Sequence, residues 1–246
     1  MKTVITYMAV LVLLCCGCSK SGDLFKSYGK DVTETRTVGS FRAISAGEKF
    51  DILLVQDSVQ AGKIEITAGE HVISGYETRV ENGVLTLENT NKFNWVRKLK
   101  VRQKAVIYFK TLDSLDVRGS AKFVTKDTIY QKNKFMIIHN GLEDVELNIK
   151  TNDITVRAVN TGGVILRGHC NIFNGTADDV SFCDNRNFTT DDTYFTSFSQ
   201  EASYLSADNI LGIKVYGNGN VYYLKDPANA IASKLEEFGK GQIIKK

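Results

Sequence analysis

Leu115-Asp-Val117 runs into Gly119-Ser-Ala-Lys-Phe123, Met136-Ile-Ile138 into Asn140-Gly-Leu-Glu-Asp-Val145, Ile154-Thr-Val156 into Asn160-Thr-Gly-Gly-Val164, and Ile213-Lys-Val215 into Gly217-Asn-Gly-Asn-Val221. Each line is a short apolar strand, a Gly/Asn turn and the start of the next strand. Equivalent apolar positions lie 22 residues apart from Phe123 to Val145, 19 from Val145 to Val164 and 19 from Tyr204 to Tyr223. A repeat near twenty residues without helical periodicity is the pattern of a β-solenoid, one coil per repeat. A strand of four or five residues cannot bury its apolar side alone. Stacking coils about 4.8 Å apart pairs every backbone and fills the interior with Val, Ile, Leu and Phe. Gly and Asn tolerate the positive φ of the corners. An antiparallel sandwich punctuates its strands similarly, but turns that recur in register favour the solenoid.

Working outward, Lys63-Ile-Glu-Ile-Thr67 alternates, and Thr78-Arg-Val80 passes through Glu81-Asn82-Gly83 into Val84-Leu-Thr-Leu-Glu88. Asn-Gly between alternating strands signals a hairpin or a solenoid corner. Downstream of Pro227, Ile231, Leu235 and Phe238 have i, i+4, i+7 spacing, which predicts a short helix or an irregular turn over residues 228–238, stopped by Gly239 and capping the last coil.

The first residues have another character. Lys2, an apolar run over residues 4–14 and Cys15-Cys-Gly-Cys18 have the layout of an export signal, with a run too short to span a bilayer. Leu14-Cys-Cys-Gly17 before Cys18 resembles a bacterial lipoprotein processing box. Cys18, preceded by small Gly17, is the expected lipidation site, with Cys16 as the alternative. The expected organisation is a signal peptide over residues 1–17, a polar tether over 18–37, and a solenoid with a C-terminal cap over 38–246. The chain is expected to be exported and lipid-anchored to the cell envelope at the outer membrane, since buried acyl CH₂ groups contribute about 0.8 kcal/mol each.

Phe41-Arg-Ala-Ile44, Phe50-Asp-Ile-Leu-Leu-Val-Gln56 and Val80-Glu-Asn-Gly-Val-Leu-Thr-Leu87 resemble the opening of the bacterial "putative auto-transporter adhesin, head GIN domain" family. Leu115-Asp-Val-Arg-Gly-Ser120 is similar to its middle turn, and Gly217-Asn-Gly-Asn-Val-Tyr-Tyr223, Asp226-Pro227 and Gly239-Lys-Gly-Gln-Ile-Ile244 to its closing segment, a pattern in which residues 228–238 read as another coil. The resemblance covers residues 38–246 and implies a right-handed parallel β-helix on an exported bacterial protein, with adhesion as the activity that the family name implies. Ala121 stands where the family tends to have Gly, so that corner needs no positive φ at its third position.

Composition excludes some classes. With 43% hydrophobic residues, one Pro, and 31 Lys+Arg against 28 Asp+Glu, the chain has a core and a net charge of only +3. That balance gives nucleic acid no reason to bind. His71, His139 and His169 share no metal-ligand spacing. His169 and Cys170, adjacent on a strand, point to opposite faces and make no dyad. Cys170 and Cys183 either form a disulfide or are two buried thiols. The acidic run Asp178, Asp179, Asp184, Asp191 and Asp192 is the enzymatic lead: paired carboxylates for a polysaccharide lyase or hydrolase. Asp178, Asp179, Asp191 and Asp192 are also the candidate Ca²⁺ ligands. Against that lead, Asp is a common turn residue.

Two features suit a binding surface. Lys98, Lys100, Arg102 and Lys104 share strand parity and form a basic row for an anionic glycan or a lipid head group. Tyr194-Phe195, Phe198 and Tyr204, with Tyr222-Tyr223, put rings on both faces of late strands, so that some face outward, where they can stack on sugars or anchor a protein. The reading is therefore a non-catalytic, cofactor-free module. Its partners are the membrane, through the anchor, and a polysaccharide or an envelope or host protein. A lyase or hydrolase and a purely structural envelope module are the alternatives.

Overall fold

The computed structural model describes residues 28–91, 101–229 and 234–246. Among them are 18 β-strands, a single 3-10 turn at Ile73–Gly75 and no α-helix. The centre is built from β11 (Val145–Ala158), β12 (Val164–Ala177) and β13 (Cys183–Ser197), stacked in parallel. Val145, Val164 and Cys183 share one register position, and Ala158, Ala177 and Ser197 another. Inward residues of β11 are Val145, Leu147, Ile149 and Thr151, then Ile154, Val156 and Ala158. The parity changes at Asn152-Asp153, which marks a corner. One coil therefore gives one rung to each of two sheets.

The first sheet begins with β1 (Asp31–Thr37), β4 (Lys63–Gly69), β7 (Gln103–Phe109), β3 (Phe50–Gln56) and β9 (Lys122–Thr125). It continues through the first halves of β11, β12 and β13 to β14 (Ser203–Leu205), β16 (Val221–Tyr223) and β18 (Ile243–Lys245). The second begins with β5 (Tyr76–Glu81), β6 (Val84–Asn89), β2 (Ala43–Ala46) and β8 (Ser114–Gly119). It continues through the second halves of β10 (Ile129–Gly141) and β11–β13 to β15 (Ile210–Val215) and β17 (Lys234–Glu237). All neighbours are parallel except β1–β4–β7 and β5–β6, which close the N-terminal end as antiparallel ribbons. The result is an all-β solenoid of about six turns with coils near twenty residues.

Burial follows this frame. Phe50, Phe123, Phe135, Phe173 and Phe188 are fully buried between the sheets. Phe173 stacks on Phe195 at 6.5 Å between ring centres. Cys170 and Cys183 are free, buried thiols at unrelated register positions, beside Thr190 and Val164 respectively. Burial pushes the Cys170 thiol upward and the Cys183 thiol up to about 12. The open question of the disulfide thus resolves to two inert core cysteines.

The Asn82-Gly83 signal is the β5–β6 hairpin turn, with φ of 50° and 76°. At the corner after β8, Gly119 has φ 53°, and a Cβ there would lie 1.9 Å from the Gly47 carbonyl oxygen. Ala121, by contrast, is buried with no positive φ, as the sequence implies.

Two expectations are corrected. Asp31–Thr37, assigned above to the tether, is strand β1, paired along its length with β4. Lys234–Glu237, assigned from its spacing to a helix or irregular turn, is strand β17, paired in parallel with β15, the further coil that the family resemblance implies. Leu235 takes the core column above Ile213, and Phe238 stacks on Tyr216. The apolar spacing that reads as a helical face is met equally well by one more coil, and the free edge of β15 supplies backbone partners that an isolated short helix lacks.

Candidate ligand-binding face

Outward side chains of the two sheets differ in kind. On the second sheet one outward column reads Ser45, Asp116, Ile138, Arg157, Thr176, Thr196 and Lys214. On the first, the register links Val106, Leu53, Val124, Glu146, Ile165, Asp184, Tyr204, Tyr222 and Ile244. Every member is half-buried except Asp184, which is buried. At about 4.8 Å per rung these nine positions form a ridge about 40 Å long.

Cations lie over its rings. Tyr204 and Tyr222 stack at 5.1 Å. The Arg186 guanidinium sits 4.7 Å from the Tyr204 ring centre, and the Lys246 ammonium 4.8 and 5.0 Å from Tyr204 and Tyr222. Lys63 lies 5.0 Å over Tyr108. Arg186 is oriented by Asp184, which accepts from its Nε at 2.9 Å and its Nη2 at 2.6 Å. Burial raises the Asp184 pKa, but the hydrogen bonds from Arg186 outweigh it and leave the carboxyl below its ordinary value. Further along, Glu146 bridges Lys122 at 3.2 Å and Arg167 at 3.6 Å. The face combines apolar contact area with fixed positive charge, the composition of a shallow binding surface.

Of the expected basic row, Lys98 and Lys100 lie outside the described residues. Arg102 is drawn inward. Its Nε donates to Asp51 at 2.5 Å, its Nη1 to Glu143 at 3.1 Å, and its Nη2 to the carbonyls of Phe50 at 3.0 Å and Ser120 at 2.8 Å. It joins three turns and has few donors left for a ligand. Lys104 is exposed on the first-sheet face, in register with Asp51 and Thr67.

The aromatics divide. Tyr194 lies on the second sheet, its ring over Gly212. Phe198, Tyr216 and Phe238 are 43%, 43% and 57% exposed and form a ladder at the turns, with centres 5.0 and 4.7 Å apart. Stacking along the solenoid axis covers one face of Phe198 and both faces of Tyr216, so Tyr216 offers only its ring edge to solvent. Of the expected aromatics, Tyr204 and Tyr222 join the first-sheet ridge.

The acidic run is split three ways. Asp178 and Asp179 form the turn after β12. There the Asp178 carboxylate accepts the Asp179 N–H at 2.8 Å, and Asp179 takes φ 56°. Asp184 is on the first sheet with Arg186. Asp191 and Asp192 lie at the bend of β13, where Asp192 accepts from Asn209 at 2.9 Å. Five strand residues, about 17 Å, separate the bend from the turn. Among the described residues no group of three or more His, Cys, Asp and Glu could hold a metal ion. His169 is outward, 3.1 Å from the Thr189 hydroxyl, while Cys170 is inward.

The aliphatic half of the ridge was missed from sequence, although a signal exists. Ile52-Leu-Leu-Val55 and Ala105-Val-Ile-Tyr-Phe109 are apolar at both parities, so one apolar set must face out.

The chain is thus an all-β solenoid with an outer column of half-buried apolar and aromatic side chains on its first sheet. The sequence matches the family described as "putative auto-transporter adhesin, head GIN domain" over residues 40–227, and the chain belongs to that family. Its fold is similar to that of a putative adhesin from Bacteroides fragilis, at TM-score 0.83 and 18% identity, over 90% of this chain and 100% of that one. A putative adhesin and a putative lipid binding protein, both from Parabacteroides distasonis, match at TM-score 0.64 with 15% and 16% identity. Each match covers 90% of this chain, and 100% and 99% of those chains respectively. None of the curated proteins matches this sequence.

Proposed function

We propose that this chain is a non-catalytic binding module of the cell envelope, exported and held on the outer membrane through a lipid on Cys18. It holds a polysaccharide or an envelope or host protein along the outer face of the first sheet. One observation carries the reading: Val106, Leu53, Val124, Ile165, Tyr204 and Tyr222 share one outward column, interrupted by Glu146 and Asp184, and all six are half-buried. A soluble sheet face ordinarily alternates to polar residues on its solvent side; the second-sheet column of Ser45, Asp116, Arg157, Thr176, Thr196 and Lys214 does so except at Ile138. Contact along such a ridge is shallow, and many tethered copies raise weak single-site affinity by effective concentration.

The test is a glycan-array and envelope-extract binding assay with the protein and its Tyr204→Ala/Tyr222→Ala variant, with Tyr194→Ala as the second-sheet control. The double variant is expected to lose about tenfold in affinity, since one stacked ring contributes about 1 kcal/mol beyond its buried area. Loss on Tyr194→Ala with an intact double variant would move the site to the other sheet.

A further inference from the structure

The cations of the first-sheet face follow the ridge. Lys104 and Lys122 stand two residues before the ridge positions Val106 and Val124. Arg167, Arg186 and Lys246 stand two residues after Ile165, Asp184 and Ile244. Side chains two apart on a strand share a face, so these cations flank the ridge on its outer side. Each belongs to a different rung, and at about 4.8 Å per rung they recur along the length of the ridge. Lys104, Arg167, Arg186 and Lys246 are exposed, and Lys122 is half-buried.

Carboxylates on the same strip are fewer, and each is already engaged. Glu146 is shared by Lys122 and Arg167, and Asp184 is buried and bonded to Arg186. Asp51 is held by Arg102, and Asp144 accepts the Gly163 N–H at 2.8 Å. Lys104 and Lys246 make no ion pair among the described residues. Two of the cations also cap the tyrosines. Tyr222 stacks on Tyr204, Arg186 lies over the Tyr204 ring, and Lys246 reaches both rings. A neutral sugar stacking there has to displace a cation, whereas a sugar bearing an anion is held by it.

We infer that the ligand of the ridge is an anionic polysaccharide, a chain bearing carboxylate or sulfate groups, laid along the solenoid axis with its charges on Lys104, Lys122, Arg167, Arg186 and Lys246. This rests on the reading of the first-sheet face as the binding surface and narrows it to one class of ligand. A repeating polymer suits cations that recur by rung, because several weak charge contacts then add along one chain. Contact through several cations releases counterions, so the affinity depends steeply on salt.

The test is isothermal titration of the protein with polygalacturonate and its fully methyl-esterified form, and in parallel with dextran sulfate and dextran. At least one anionic chain is expected to bind at least about tenfold more tightly than its neutral counterpart, and to lose at least about tenfold in affinity between about 50 and about 200 mM NaCl. Preference for polygalacturonate assigns carboxylates, and preference for dextran sulfate assigns sulfates. Lys104→Gln/Lys246→Gln, which breaks no ion pair among the described residues, is expected to weaken that binding at least about tenfold. Arg157→Gln, an exposed cation of the second sheet, is expected to leave it unchanged. If the double variant does not fold, Arg167→Gln carries the same comparison. The inference is overturned by equal binding of charged and neutral chains, by binding of neither anionic chain, by an equal loss on Arg157→Gln, or by a single-stranded oligo(dT) that binds as tightly. If charged and neutral chains bind equally and both are lost on Tyr204→Ala/Tyr222→Ala, the ridge stands and only its charge preference falls. Anionic binding untouched by either double variant removes the ridge itself.

Discussion

His139 is a charged-group candidate that the fold has made neutral. It is fully buried. The Gly141 N–H donates to its Nδ1 at 3.0 Å, which leaves Nε2 to carry the proton and donate to the Glu143 carbonyl at 2.8 Å. Desolvation lowers its pKa, and the hydrogen bond to Glu143 and the charge of Asp144 oppose this only in part. The native state therefore binds fewer protons than the unfolded chain below the ordinary imidazole value of about 6.5. The stability this contributes is complete above that pH and is lost as pH falls toward the lowered folded value. Denaturant midpoints are expected to decrease from about pH 7.5 to about pH 5.5, and the slope is expected to flatten in His139→Gln. An unchanged slope in the variant would assign the acid sensitivity to other groups. Arg102 is the same lesson in reverse: a residue expected to reach for a ligand instead fastens the turns at Asp51, Ser120 and Glu143.

Among the elements, β10 breaks register with β11 between Gln131 and Lys134, and β13 is irregular in a way that re-aims side chains. Its register against β12 shifts between Ile165 and Arg167, where Asn185-Arg186 form a bulge. The bulge sends Arg186 out to the Tyr204 ring and Asn185 in, where neither polar atom of its amide finds a hydrogen-bond partner. Bulges commonly re-aim side chains in this way, and an unsatisfied buried amide costs about 1–3 kcal/mol. Asn185→Leu, in an inward row that includes Leu166 and Leu205, is expected to raise stability by about 1–2 kcal/mol and Tm by several degrees in thermal denaturation. A lowered Tm would mean that the amide is satisfied by internal water.

At the scale of the molecule, the repeat near twenty residues and the Gly/Asn corners carried the solenoid, because coil stacking makes every inward position recur. What could not be read was where the coil ceases to be parallel. Lys63-Ile-Glu-Ile-Thr67 alternates in the same way whether its neighbour runs with it or against it, and here β4 runs against both β1 and β7. The ridge was only half legible, since the tyrosines draw notice while Leu53 and Val106 read as core. The division of the acidic run was not legible at all, because coil position depends on where each strand bends. The proposed anchor is tested on the whole protein: Cys18→Ser is expected to move it from the membrane fraction to the soluble fraction of cells, whereas retention with Cys16→Ser causing release would place the lipid on Cys16.

The antiparallel pairing of β1 with β4 gives the molecule a direction of mechanical weakness. Asp31 is the first residue of that ladder, opposite Gly69, and Thr37 the last, opposite Lys63. A pull on the segment before Asp31, at right angles to the strand, loads one rung at a time and unzips β1 from its first residue. The same force along the strand loads the whole ladder in shear, because the interstrand bonds lie across that direction. A head held by its N-terminal side would thus yield readily when peeled and resist when dragged, with the coils beyond β4 shielded until β1 has given way.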